Sequence, residues 1–264
     1  MAVHDIYNTV PSWVMILSLA VIFMVLAAGI YWLLRHVFPT FTEKRGNLQA
    51  HAILVGILAS TYGIMLGFII VILWQASEHV RGTVSAEASE LALIVADSYA
   101  LPAPERQKIF NAVAHYIKIV RTDEWEAMRN AVGGSAKRSF TPGLLFKTMI
   151  SYQPQTDSQR IFYQEIITHL NKVVAYRRER LDASSSALPA TLRTIIVISA
   201  MLIIIFICVL QSQRKKPDLL KILLVSAVMA ANIGLIFVLD YPFSGDISID
   251  SHAFEQGILA DFKL

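Results

Sequence analysis

The sequence predicts an all-α, polytopic membrane protein with four transmembrane helices and a helical extramembrane block between spans two and three. Three observations carry that reading. Of 264 residues, 55% are hydrophobic and 16% charged, against about 25% charged in an ordinary soluble domain. Mean hydropathy is +0.53. Four stretches are apolar and free of charge over roughly 18 residues or more, enough to cross a hydrocarbon core. The single cysteine, Cys208, excludes an intrachain disulfide and with it a disulfide scaffold. A net charge of +3 then reports on topology rather than on a nucleic-acid partner.

The first span runs from about Trp13 to Leu34, with Trp13, Tyr31 and Trp32 at its ends as expected at lipid–water interfaces. It is not a signal peptide, since its apolar run exceeds the roughly 7–15 residues of such segments and no basic segment precedes it. The second span covers about Ala52 to Trp74, the third Thr194 to Leu210 and the fourth Leu219 to Leu239. The chain divides into a hairpin within residues 1–76, a helical block over 77–190, a second hairpin within 191–240 and a C-terminal segment, 241–264.

No proline lies between Ala52 and Leu101, so the second span is expected to continue as one rod, with Val80, Val84, Leu91 and Val95 near helical spacing. After the Leu101-Pro102-Ala103-Pro104 break, Ile109, Val113, Tyr116 and Val120 form an apolar stripe. Turns are expected at Gly133-Gly134-Ser135, Thr141-Pro142-Gly143 and Pro154. After Thr156-Asp157, which suit a helix N-cap, Phe162, Ile166, Leu170, Val173 and Val174 form a second stripe. These stripes read as the mutual core of an antiparallel bundle.

The fourth span closes in Leu239-Asp240-Tyr241-Pro242-Phe243-Ser244-Gly245. Pro242 stops the helix, and Gly245 permits a turn with positive φ. Phe243 is expected to insert among neighbouring helices or subunits, the alternative being an aromatic anchor that touches lipid only. Ser244 supplies a hydroxyl for nearby backbone. Asp240 reads as an interfacial carboxylate bonded to the turn's free amides, with a pore-mouth charge as the other reading. Asp250 or Ser251 would cap a final amphipathic helix carrying Phe254, Ile258 and Leu259, placed on the membrane surface or over the mouth of a bundle.

Arg35, Lys44 and Arg45 in the first short loop, and Arg214, Lys215 and Lys216 in the last, place loops 35–51 and 211–218 in the cytoplasm. Both termini and residues 77–190 are then expected outside, in a protein of the bacterial inner membrane. Arg81, Arg177, Arg178 and Arg180 pull the other way, but long segments translocate despite their charge.

No phosphate loop, HExxH, CxxC or GxSxG motif occurs, so no catalytic residue, cofactor or metal site is expected and the protein is read as a non-enzyme. His115 and His169 stand on different helices, most simply as ordinary polar positions. Glu87-Ala88-Ser89-Glu90 is read as a solvated helix face, or as a cation site if a second chain adds oxygens. Arg177-Arg178-Glu179-Arg180 is read as a lipid-headgroup contact or as a charged face beside the membrane.

The second span is the polar one. Gly56, Ser60, Gly63 and Gly67 step by four, three and four along one face, with Thr61 beside them. That face either packs closely on another helix or lines a pore; both readings are open. Asn232, within Ala230-Ala231-Asn232-Gly234 of the fourth span, either bonds a neighbouring helix or lines the same pore.

Several of these residues carry a resemblance. Glu87-Ala88, Leu101-Pro102, Arg106, Tyr116, Glu124-Trp125, Arg177 to Leu181, Leu188-Pro189 and the Pro242-Phe243-Ser244-Gly245 core resemble the bestrophin-like domain family of four-span membrane proteins. The likeness covers nearly the whole chain. It implies kinship with bestrophins, which are pentameric anion channels whose pores are lined by the second span. Departures are the loop charges, which argue for an inverted topology, a second span with only Phe68 as phenylalanine, and no acidic calcium clasp. The resemblance implies a homo-oligomeric channel for inorganic ions, more readily anions (chloride) than cations, with the lipid bilayer and further copies of itself as partners. A non-conducting membrane scaffold or sensor, whose helical block binds a partner, is the alternative.

Overall fold

The computed structural model describes residues 8–37, 48–130, 141–209 and 217–262. No strand occurs among them. The helices are α1 (Ser12–Val37), α2 (Leu48–Asp97), α3 (Ala103–Ile119), α4 (Trp125–Arg129), α5 (Gly143–Ile150), α6 (Asp157–Asp182), α7 (Ala190–Val209) and α8 (Pro217–Leu239). A π-helical turn, Val120–Glu124, joins α3 to α4, and short 3₁₀ turns occupy Ser98–Ala100, His252–Glu255 and Gly257–Phe262. Four helices, α1, α2, α7 and α8, contain segments long and apolar enough to cross a membrane, and the chain is an integral membrane protein. The loop charges Lys44, Arg45, Arg214, Lys215 and Lys216, and the Gly133-Gly134-Ser135 turn, lie outside the described residues.

Two compact units result. Val10–Gln75 and Ala187–Asp240 form the span unit; Met1–Thr9, Ala76–Ser186 and Tyr241–Leu264 form the block. In the span unit, α1 contributes Ala20, Phe23, Ala27 and Tyr31 at three- and four-residue steps, and α7 contributes Ile196, Ala200, Ile203 and Ile204. α8 lies closest to α1. Gly234 permits this approach, since a Cβ there would stand 3.2 Å from the Ile16 side chain. α2 joins by one face, Tyr62, Leu66, Ile69 and Leu73, with the Tyr62 hydroxyl donating to the Ile196 carbonyl at 2.9 Å.

In the block, α2 runs unbroken, as its lack of proline permits, and buries Val80, Val84, Leu91 and Val95 against Ile109, Val113, Tyr116 and Val120 of α3 and its π turn. α6 adds Ile166, Leu170 and Val173, while Phe162 and Val174 stay outside the buried core. Thr156 caps α6, its hydroxyl accepting from the Gln159 amide at 3.2 Å. The C-terminal segment departs from expectation. It forms no amphipathic α-helix but two 3₁₀ turns, and Gly257, the first residue of the second, interrupts α-helical geometry with φ +57°. Phe254 and Leu259 are buried in the block's core together with Phe243 and Ile249, which makes residues 241–262 part of the block rather than a separate segment.

Candidate functional site: an uncovered span face and a buried charge network

On α2, the packed face and the small-residue stripe are distinct. At about 100° per residue, Gly56, Ser60, Gly63 and Gly67 centre roughly 120° around the helix from Tyr62, Leu66, Ile69 and Leu73. All four stripe residues are exposed in the protomer. A Cβ added at Gly56, Gly63 or Gly67 would meet no atom within 4 Å. The helices of this protomer therefore do not use the stripe for close packing. Thr61 is exposed as well, but as Ser60's immediate neighbour it points about 100° away and cannot share the stripe. Among the described residues Asn232 bonds its own helix rather than a neighbouring one, its side-chain amide donating to Val228 O at 2.9 Å.

Asp240 is fully buried. It bonds to the start of α7. Its Oδ1 accepts from the Leu188 amide at 2.7 Å, its backbone carbonyl accepts from the Ala187 amide at 3.2 Å, and Arg193 lies 3.5 Å from Oδ2. The reason is local: Ala187 and Leu188 precede the first turn of α7 and have amides without helical acceptors, which a carboxylate satisfies. After Pro242, Phe243 is 1% exposed and meets the Trp125 ring edge to face at 5.6 Å. Ser244 Oγ donates to the Arg129 carbonyl at 2.7 Å, and Gly245 has φ +88°. Pro242 O closes the turn by accepting from the Ile249 amide at 2.9 Å.

The block's interior holds a charge network. Arg180 donates to Glu87 through Nε at 2.7 Å and Nη2 at 2.9 Å, and through Nη2 to Glu124 at 2.9 Å. Arg177 donates to Glu124 Oε1 through Nε at 2.9 Å and Nη2 at 2.6 Å. Thr141 donates to the same oxygen at 2.5 Å, and the Tyr116 hydroxyl donates to Glu87 at 2.7 Å. The Arg180 guanidinium also lies 5.3 Å from the centre of the Trp125 ring, a cation–π distance. None of Glu87, Tyr116, Glu124, Thr141, Arg177 and Arg180 is more than 5% exposed. Two arginines oppose two glutamates, so the charges balance.

Electrostatics follow from this burial. For Glu124, burial raises the carboxyl, but Arg180, then the hydrogen bonds from Arg177 and Thr141, hold it below the ordinary glutamate range. Burial and then the Glu87 charge push the Tyr116 phenol well up, so it stays a donor. For Arg180, burial works against the charged form and Glu87 outweighs it, keeping the guanidinium protonated.

This network overturns two sequence readings. Arg177 and Arg180 do not face lipid headgroups or solvent, and Glu87 does not belong to a solvated or cation-holding face. The Glu87–Glu90 cluster splits: Glu90 instead pairs with His169 and Lys172, and no metal-ligand group occurs among the described residues. The signal was present in the spacing. Ile166, Leu170 and Val173 extrapolate by steps of four and three onto Arg177 and Arg180; Val80, Val84, Leu91 and Ile94 bracket Glu87 in the same rhythm. Ile109, Val113, Tyr116 and Val120 point next to Asp123. The π turn inserts one residue, so Glu124 takes the inward place and Asp123 is exposed. Such bulges recur at functional sites.

Comparison with known proteins gives one family: the model described as Bestrophin-like domain matches residues 21–254. Neither the curated proteins nor the solved structures give a match.

Proposed function

We propose, from the premise that this chain belongs to the bestrophin-like domain family, that it is a homo-oligomeric ion channel which passes anions more readily than cations. The observation that carries the proposal is the stripe Gly56, Ser60, Gly63 and Gly67, uncovered in the protomer and free of contact at its glycines. Several copies arranged about an axis would turn this face inward. The small residues would leave room for an ion, and hydroxyl and backbone dipoles would replace part of its hydration. With so few polar side chains among the described span residues, a single protomer offers little surface for an aqueous route, so conduction would run through the assembly. By family analogy that assembly is a pentamer. Loops 35–51 and 211–218 would face the cytoplasm of a bacterial inner membrane, with the termini and the block on the other side.

The test is reconstitution of the purified protein in planar bilayers, with the reversal potential measured across a chloride gradient. A reversal potential near that of chloride is expected, and Gly63→Trp should abolish the current while leaving protomer melting unchanged. Silence across pH and calcium concentration, in bilayers where a control channel conducts, would count against the proposal. A particle image with the stripe buried in a dimer would favour a non-conducting scaffold.

A further inference from the structure

A cleft of about 260 Å³ in the block is explained neither by the core nor by the charge network. Three aromatic rings line it: Tyr99 and Phe110 meet edge to face at 5.8 Å, as do Phe110 and Phe262 at 5.6 Å. Its polar lining consists of Gln107, Asn111 and Asp261. Gln107 Nε2 donates to Asn111 Oδ1 at 3.1 Å, which leaves the Gln107 carbonyl oxygen as an acceptor. Asp261 has no ion pair or hydrogen bond among the described residues. The Arg106 guanidinium lies 5.1 Å from the centre of the Tyr99 ring, so one face of that ring is already taken and Phe110 and Phe262 are the rings left for a ligand.

From these contents we propose that the cleft binds a small organic cation of the trimethylammonium class. Aromatic faces attract a diffuse, weakly hydrated positive charge, and Asp261 supplies the opposite charge. An inorganic cation would lose hydration to rings that offer too few oxygens, and an anion would face a carboxylate. The volume lies just below the range of about 300–1,000 Å³ usual for drug-sized ligands, which fits a compact head group.

The experiment uses the full chain in a detergent without quaternary ammonium groups. Calorimetric titration with choline is compared with 3,3-dimethylbutan-1-ol, which has nearly the same shape and no charge. Saturable choline binding is expected, at least about tenfold tighter than the alcohol, a difference of about 1.4 kcal/mol. Asp261→Asn and Phe262→Ala should each weaken choline binding severalfold, and Asp261→Asn, at an exposed position, should leave thermal melting unchanged. Equal affinity for choline and the alcohol would reduce the cleft to an apolar depression. No detectable choline binding, or binding indifferent to both substitutions, would overturn the proposal.

Discussion

Replacing Arg180 by leucine removes three hydrogen bonds from two buried carboxylates, two from Glu87 and one from Glu124. Glu124 keeps Arg177 and Thr141. Among the described residues Glu87 keeps the Tyr116 hydroxyl alone, and it is 0% exposed. Removing one partner of a buried ion pair costs about 3–5 kcal/mol, because the other charge is left uncompensated. Against a total of about 5–15 kcal/mol for a typical protein, that is roughly a fifth or more. With roughly 2–4 °C per kcal/mol at this size, the tryptophan-fluorescence melting point in detergent should fall by about 6–20 °C.

The pH dependence makes the test specific. A stranded carboxylate takes up a proton rather than stay charged. The gap between wild type and Arg180→Leu should therefore be widest near pH 8 and narrow toward pH 5. Adding Glu87→Gln to Arg180→Leu removes the stranded charge and should recover part of the loss at pH 8. If Arg180→Leu melts within a degree of wild type, or if the second substitution deepens the loss, the charge-stranding argument fails.

The remaining predictions concern packing, conformation and acid. Phe243→Ala removes a ring that is 1% exposed and should cost about 3–5 kcal/mol, read as a lower melting point. Gly245→Val forces a β-branched residue to φ +88° and should destabilise by more than Gly245→Asn, since asparagine tolerates positive φ. Gly234→Leu must displace Ile16, 3.2 Å from the new Cβ, whereas Gly63→Leu meets open space in the protomer; only the former should lower protomer melting. In wild type, the depressed Glu124 carboxyl contributes stability that is fully present above the ordinary glutamate value of about 4.3. That contribution disappears as pH falls through the lower folded value, so melting should drop on acidification below about pH 4.

The spans were legible because burial in lipid demands long uncharged runs, and α1, α2, α7 and α8 each satisfy that demand by composition alone. The single rod of α2 was legible because nothing between Ala52 and Leu101 interrupts helical hydrogen bonding. The final segment was not, since Phe254, Ile258 and Leu259 have helical spacing and nothing in that spacing shows that Gly257 adopts φ +57°. The charge network was missed, despite the spacing that carried it, for a different reason. Charged residues are almost never fully buried unless paired, so Arg177, Arg180 and Glu87 read as surface. The arginines and the glutamates they pair with lie 53 to 93 positions apart in sequence, and only folding brings them together.

The stripe on α2 has the same logic in reverse. Each glycine in a helix interior costs about 1 kcal/mol relative to alanine, and Gly56, Gly63 and Gly67 gain nothing for it within the protomer, where no atom approaches an added Cβ. At Gly234 the same cost is offset, because the Ile16 backbone comes within 3.3 Å of the added Cβ position and a larger residue would force α1 and α8 apart. A stripe that costs stability without a contact in one chain supports a use outside that chain. Close approach by a neighbouring copy would offset the cost through packing, and a pore would offset it through the space left for an ion. The two uses separate experimentally. Gly63→Ala should weaken assembly if copies pack there, and should leave assembly intact but alter conductance if the stripe faces an aqueous axis.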